Sequence, residues 1–332
     1  MRVVFVGSVL SSFHALRSII KVSLKYPIDI GGVFGLDKAF SMGVSDYYPI
    51  HEYAKENNIP FFTFKKINEE KTVSQIKDLA PDLIFVIGLS QIISKEILSI
   101  PKIGCVGFHP TPLPKMRGRA AIPWMILLGV KESAATLFFL DEGIDSGDII
   151  DQEKYFIEED DYAWDVYNKV CVALETLIGR NLPLLAEGKV TRIPQNEKEA
   201  TYLSKRVPSD GLINWDNSSD SILRLIRATS RPYPGAYSFY KGKKVIIWRA
   251  SKPQNNERYT GLPGQIVDIV DGKIYVATGY GLLSIDEYEF DSNLPKIKIG
   301  NKFGVDVINE LMNLRNEVSL LKYELVERRE SK

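Results

Sequence analysis

The sequence predicts an α/β fold: a parallel-rich sheet flanked by helices, then a small β-rich domain and a terminal helix. Three observations carry this. Short apolar, β-branched runs alternate with helical periodicity through the first half of the chain. From Tyr202 onward the pattern turns to short strands separated by turn residues. A charged stretch with apolar residues at helical spacing closes the chain. The expected boundaries are a first domain over 1–190, a linker over 191–202 and a second domain over 203–330.

Residues 3–6 form a β-branched run that ends at Gly7-Ser8, and a helix with Ala15, Leu16, Ile19 and Ile20 on one face follows. Residues 28–34 read as a second strand and 51–58 as a short helix. Ile59-Pro60-Phe61-Phe62 starts another extended piece. Residues 81–88 are a continuous apolar strand, followed by a short helix to about Leu98 with Ser94 as its N-cap. A further strand, 104–108, leads into a loop at His109. Strands alternating with helices imply a parallel sheet covered on both faces, with its site at the carboxyl ends of the strands.

The stretch Ala163–Ala186 carries Trp164, Tyr167, Val170, Cys171, Leu174 and Leu177 at helical spacing, the pattern of a core-packing face. Pro183 is expected to kink that helix or end it early. Residues 188–199 are polar and contain Pro194, as a linker would. Strands are predicted over 244–249, 264–270, 273–278 and 282–288, with Asp271-Gly272 as a hairpin turn. The final helix is expected over 303–329, with Ile308, Leu311, Leu314, Val318, Leu321 and Leu325 free to pack on its own domain or on another subunit.

Lys plus Arg equals Asp plus Glu, 42 each, so the formal net charge is zero. A basic excess or stripe, the electrostatic footprint of a nucleic-acid binder, is absent from the composition. Lys241-Gly242-Lys243-Lys244 reads as a solvated turn. The two cysteines, Cys105 and Cys171, sit among apolar neighbours and predict buried, reduced thiols. There is no CxxC or Cys/His cluster, so no metal is expected. No apolar run reaches membrane-spanning length, and residues 1–7 read as a core strand rather than a leader; the expected location is the cytoplasm, with no membrane partner.

The chemistry concentrates in two segments. Gly107-Phe108-His109-Pro110-Thr111-Pro112-Leu113-Pro114, followed by Arg117-Gly118-Arg119, puts one of three histidines into a proline-stiffened loop. Asp141-Glu142-Gly143-Ile144-Asp145-Ser146-Gly147-Asp148 is acidic and glycine-rich. A proton carrier, a carboxylate to orient it and rigid backbone around both suit carbonyl chemistry. Arg117 reads equally as a structural partner for a carboxylate, and Asp148 as a residue that caps its loop. His14 and His51 show no sequence partners and are expected to be structural or exposed.

At these residues the chain resembles the N10-formyltetrahydrofolate-dependent formyltransferases. That family includes methionyl-tRNA formyltransferase, glycinamide ribonucleotide formyltransferase and the sugar N-formyltransferases. His109-Pro110-Thr111-x-Leu113-Pro114-x-x-Arg117-Gly118-Arg119 is similar to the family's central motif, and Asp145 stands where its catalytic aspartate is expected. Gly88-Leu89-Ser90-Gln91-Ile92-Ile93 resembles the folate-contacting strand end. Pro208-Ser209-Asp210-Gly211 and Arg231-Pro232-Tyr233-Pro234-Gly235-Ala236 resemble the carboxy-terminal domain found in methionyl-tRNA formyltransferase and in the aminoarabinose-pathway enzyme. The resemblance implies a Rossmann-like formyltransferase domain, an OB-like second domain and N10-formyltetrahydrofolate as formyl donor. It implies His109 and Asp145 as catalytic residues. It also implies Gln91, Ile92, Ile93, Arg119, Asp141, Glu142, Gly143, Ile144 and Asp145 as cofactor-binding residues.

The implied reaction is acyl transfer to an amine. His109 would stabilise the developing oxyanion and carry a proton to the departing folate nitrogen, while Asp145 would orient the imidazole and take the proton of the amine. One departure matters. The family's triad is Asn-x-His followed by Asp, and here Gly107 stands at the Asn position. Losing one oxyanion donor costs about 10²–10³ in rate. Three explanations stand open: a replacement donor such as Gln91 or a backbone N–H, slower chemistry, or a degenerate folate-binding protein that no longer catalyses.

The acceptor expected from the sequence is a small amine, a nucleotide-linked amino sugar. In the tRNA enzyme the loop after the second strand is long and basic; here residues 35–48 hold one lysine against two aspartates. Tyr47 and Tyr48 are candidates to stack on a base or sugar, or simply to pack. Methionyl-tRNA formyltransferase is the alternative, and formyltetrahydrofolate hydrolase a further one. A homo-oligomer stays open.

Overall fold

A computed structural model of the chain describes residues 1–254, 258–290, 296–305 and 307–330; within the last stretch, side chains are described at 311, 312 and 314–323. The described chain divides into two units. The first comprises 1–207 with 231–234, the second 208–230 with 235–332.

The first unit follows the predicted alternation: β1 (Arg2–Val6), α1 (Leu10–Ser23), β2 (Asp29–Leu36), α2 (His51–Glu56), β3 (Phe61–Phe64), α3 (Glu70–Asp78), β4 (Leu83–Val86), α4 (Lys95–Leu98) and β5 (Gly104–His109). These five strands pair in parallel in the order β3-β2-β1-β4-β5. The apolar runs of β1 and β4 are buried on both faces, as a doubly covered sheet requires. Ser94 caps α4, accepting a hydrogen bond from the Ile97 N–H at 3.4 Å.

The remaining elements depart from pure alternation. After β6 (Arg117–Gly118) and α5 (Ala121–Leu127), β7 (Glu132–Phe139) and β8 (Ile149–Phe156) extend the sheet antiparallel, next to β5. The sheet is therefore seven-stranded and mixed, not wholly parallel. α6 (Ala163–Ala186) packs on α1 and along β7 and β8. Pro183 does not end it early: the helix continues to Ala186. The proline sits in the last turn, and the residue four before it, whose carbonyl its ring crowds, is Gly179, with open space around it. The segment 191–202, expected as a linker, belongs to the first unit. Ile193 bridges to Ile149, and β9 (Tyr202–Leu203) pairs with β6.

The second unit holds α7 (Ser219–Thr229) and an antiparallel five-stranded sheet. Its strands are β10 (Ala236–Tyr240), β11 (Lys243–Ser251), β12 (Ile266–Val270), β13 (Lys273–Ala277) and β14 (Leu282–Phe290), ordered β10-β11-β14-β13-β12. Asp271 and Gly272 make the β12–β13 turn with φ of 51° and 79°, the double left-handed geometry of a tight hairpin. Lys241-Gly242 makes the β10–β11 turn. The last helix, α8 (Val307–Glu330), starts later than expected because Phe303 is buried against Trp215 and Tyr240 instead. On α8, Leu311, Leu314, Val318 and Leu321 are exposed, so the helix does not pack them on its own domain. The side chains of Ile308 and Leu325 lie outside the described residues.

Both cysteines are buried and unpaired, and burial pushes each thiol up to about 12. Among the described residues, no helix is long and apolar enough to cross a membrane.

Candidate active site

His109 ends β5, and side chains of β7 and β8 fix the loop that leaves it. The Tyr155 hydroxyl donates to the Pro110 carbonyl at 2.6 Å, and Thr136 Oγ1 to the Thr111 carbonyl at 2.6 Å. Gln152 Nε2 donates to the Leu113 carbonyl at 2.9 Å. Burial raises the Tyr155 phenol well above its ordinary range, which keeps it a donor.

The two nitrogens of the buried His109 ring meet different partners. Nε2 lies 2.8 Å from the Met116 carbonyl. A carbonyl only accepts, so Nε2 carries a hydrogen and donates it there. Nδ1 faces Asp145 Oδ2 at 3.6 Å, within ion-pair reach and beyond a hydrogen bond. The ring nitrogen open to proton exchange is therefore Nδ1.

Asp145 is held from three sides. Its φ is 51°, a left-handed conformation that Asp tolerates better than most residues. Its Oδ2 accepts the Gly118 N–H at 2.8 Å, and its carbonyl accepts from Gln195 Nε2 at 2.8 Å. Gln195 also donates to the Gly147 carbonyl at 2.7 Å, while its Oε1 accepts from Arg117 at 3.1 and 2.8 Å. The Arg117 side chain is only 1% exposed and makes a two-pronged contact with Glu197 at 2.9 and 2.7 Å. That guanidinium holds the Glu197 carboxyl below its usual range. Arg117 is thus a structural partner for a carboxylate, and a polar chain runs from it through Gln195 to Asp145 and His109. Gln195 was hidden in the sequence because its polar surroundings resemble a linker. Gly147 is required by close approach: a Cβ there would lie 1.9 Å from the Phe139 carbonyl oxygen.

His109 opens on a cavity of about 380 Å³, within the range of small-ligand sites. Gly88, Leu89 and Ser90 line it from the end of β4, and Gly118, Arg119 and Ile122 from the segment into α5. Val44, Ser45 and Asp46 come from the loop after β2, Tyr167 from α6, and Lys205, Arg206 and Tyr233 complete it. The Tyr167 hydroxyl donates to Asp46 Oδ2 at 2.5 Å and accepts the Ser11 N–H at 3.0 Å. Burial pushes the Asp46 carboxyl above its ordinary range, outweighing the downward pull of Tyr167. Tyr47 and Tyr48, from the same loop, pack: Tyr47 donates to the Leu36 carbonyl at 3.3 Å, and the Tyr48 ring lies 4.9 Å from that of Phe13.

The structure brings together His109, Asp145 and Arg119. Of these His109 and Arg119 line the cavity and Asp145 stands behind His109; the other expected cofactor residues also lie outside the lining. Both ends of the Gln91 amide are used on the 65–67 segment: Oε1 accepts the Ile67 N–H at 2.8 Å and Nε2 donates to the Lys65 carbonyl at 3.0 Å. One Gln91 N–H is thus spent away from the cavity, whose lining does not include Gln91. Ile92 is exposed, and Ile93 is buried in the apolar cluster with Ile67 and Ile97. Asp141 is spent on its own loop, accepting from the Gly143 N–H at 3.0 Å and from the Ser146 hydroxyl at 2.8 Å. Glu142 pairs with Lys95 at 2.8 Å, and Ile144 is exposed. Gly107 shares the β5 face of His109, two residues away, but the space beside it is filled by Leu140. His14 pairs with Glu175 at 2.7 Å, and His51 is exposed.

A tetrahydrofolate fits this donor set. Val9, Phe108 and Ile122 offer an apolar wall for a flat ring system, strand-end backbone at 88–90 offers amide partners, and Arg119 matches a carboxylate. Among the described residues no cluster of His, Cys, Asp and Glu could hold a metal ion.

An α/β domain whose strand ends present a His–Asp pair at such a cavity, joined to a small antiparallel domain, defines a two-domain group-transfer enzyme. The formyl transferase family model matches residues 33–178, and the model of the formyl transferase C-terminal domain matches residues 205–295. A methionyl-tRNA formyltransferase of Clostridium tetani is 33% identical over 303 residues, covering 89% of this chain and 94% of the relative. An N-formyltransferase from Helicobacter canadensis, solved with folinic acid and dTDP-3-aminofucose, superposes with a TM-score of 0.62 at 20% identity, covering 85% of this chain and 98% of that one. HypX from Aquifex aeolicus, solved with tetrahydrofolic acid, gives a TM-score of 0.63 at 20% identity over 88% of this chain, which spans only 44% of that structure. These two likenesses show the fold. The chain belongs to the formyl transferase family: it is an enzyme of formyl transfer, with formyltetrahydrofolate as donor.

Proposed function

We propose that the enzyme transfers the formyl group of N10-formyltetrahydrofolate to the amine of a methionyl-tRNA. The observation that carries this reading is the length of the likeness: both units match, and the likeness to the C. tetani methionyl-tRNA formyltransferase runs over 94% of that relative. Lys205 and Arg206 at the cavity would meet the phosphates of an acceptor end.

The folate supplies a formyl group on a nitrogen that departs once protonated. His109 and Asp145 handle the protons. The Met116 carbonyl occupies Nε2 and fixes the ring, which leaves Nδ1 to exchange a proton with the reacting groups. Asp145, 3.6 Å away, balances the ring's charge and receives the amine's proton directly or through one water. The Gly118 N–H and Gln195 keep that carboxylate aimed at the ring. With Gly107 in place of Asn, this reading takes His109 itself and backbone N–H groups at the cavity as oxyanion donors.

A second reading, transfer to a nucleotide-linked amino sugar, is favoured by one observation. The loop that lines the cavity through Val44, Ser45 and Asp46 is acidic rather than basic. Asp46 there suits an ammonium group and repels RNA phosphate. Product analysis by mass spectrometry tests both, with charged initiator tRNA, a panel of dTDP- and UDP-linked amino sugars, and no acceptor. Formylmethionyl-tRNA supports the first reading. A formylated sugar alone replaces it with the second, and free formate alone replaces both with hydrolysis.

A further inference from the structure

α8 is 24 residues long, about 36 Å at 1.5 Å per residue, and every side chain described on it is exposed. Leu311 is 60%, Leu314 53%, Val318 48% and Leu321 58% exposed. In proteins most helical stability comes from packing an apolar face rather than from propensity, and the apolar residues described on α8 are exposed. The spacing of these four residues is 3, 4, 3. It extends in the sequence to Val307 on one side and Leu325 on the other, a heptad with every a and d position apolar from 307 to 325.

The flanking positions decide what the partner is. In that register the three g positions are Glu310, Glu317 and Glu324. The e positions one turn on are Arg315, Lys322 and Arg329. In a parallel two-stranded coiled coil, each g residue faces the e residue of the next heptad in the other strand. Glu317 then meets Lys322, twice by symmetry, and the sequence register sets position 310 against 315 and position 324 against 329, each again acidic against basic. All three pairs are attractive in a parallel self-pairing. An antiparallel pairing sets g against g and e against e, which makes every such contact a repulsion between like charges. Met312 and Leu320 fall outside the seam, at b and c.

We infer that α8 is a dimerisation element that pairs in parallel with α8 of a second copy of this chain. Sedimentation of the full chain at several concentrations tests this, beside a Leu314→Lys/Leu321→Lys variant. The wild type is expected as a dimer and the variant as a monomer that keeps its formyl-transfer activity. Glu317→Lys alone and Lys322→Glu alone should each weaken the dimer by about tenfold or more, and the two together should restore it. Leu321→Cys should give a disulfide-linked dimer on mild oxidation, because a parallel register sets d against d; Cys105 and Cys171 are buried and do not compete. A monomeric wild type, a trimer or tetramer, or a dimer that survives the double lysine variant would overturn the inference. Absence of the Leu321→Cys crosslink in a dimer would overturn the parallel orientation.

Discussion

Leu140 occupies the space that a side chain at position 107 would need. A Cβ built on Gly107 lies 2.5 Å from Leu140 Cδ2 and 3.2 Å from Phe138 Cζ. The missing Asn is therefore not a simple vacancy beside His109. The residue after β7 has taken its volume, and an apolar group stands where the family's amide would be.

Gly107→Asn alone should accordingly fail to raise the turnover number. It forces Leu140 aside and lowers stability by about 1–3 kcal/mol, the usual cost of overpacking. Combined with Leu140→Ala, the amide has room, and kcat should rise while stability partly recovers. Chemical denaturation with steady-state kinetics on the three variants checks this; a faster single variant would contradict it.

Gln195→Ala should lower kcat by about tenfold or more with little change in the folate KM. Gln195 touches no lining residue except through Asp145, whose carbonyl it holds at 2.8 Å. Gln195→Glu should not rescue, because the donor to the Asp145 and Gly147 carbonyls is gone. Arg117→Lys should act in the same direction, since a single ammonium cannot reproduce the fork that grips Gln195 and Glu197. An unchanged kcat in all three would separate this bracket from catalysis.

Asp46→Asn should stabilise the protein at neutral pH. Burial raises the folded-state pKa of Asp46 above the ordinary carboxyl value of 3.8. Its contribution to stability is therefore fully present below that value and lost as pH rises through the raised one. Removing the charge should raise Tm at pH 7 and leave it nearly unchanged at pH 3. The same variant should weaken acceptor binding if the loop reads an ammonium group. Thermal unfolding against pH, with acceptor KM, measures both.

Much of this fold was legible because its signals are local. The runs at 3–6 and 81–88, the helical stripe over Ala163–Ala186, the Ser94 cap and the Asp271-Gly272 turn each declare themselves within a few residues. The antiparallel strands β7 and β8 were missed, since nothing near Glu132–Phe139 fixes the direction of its partner. At the site, motif and spacing pointed to His109, Asp145 and Arg119, and the structure sets Asp145 against His109 and Arg119 on the same cavity as His109. The partners of Gln91 and Gln195 were not legible, because they lie 24 to 78 residues away in sequence: Ile67 for the first, and Arg117, Asp145 and Gly147 for the second. A committed amide and a free one look the same in a string of letters.

The most direct measurement is single-turnover formyl transfer from N10-formyltetrahydrofolate to charged initiator tRNA, by the wild type and by His109→Ala. The His109–Asp145 geometry predicts transfer by the wild type and a loss of about 10²–10⁴ in the variant with folate binding retained. Transfer by His109→Ala at the wild-type rate, or folate binding by the wild type with no transfer to any amine, would contradict it.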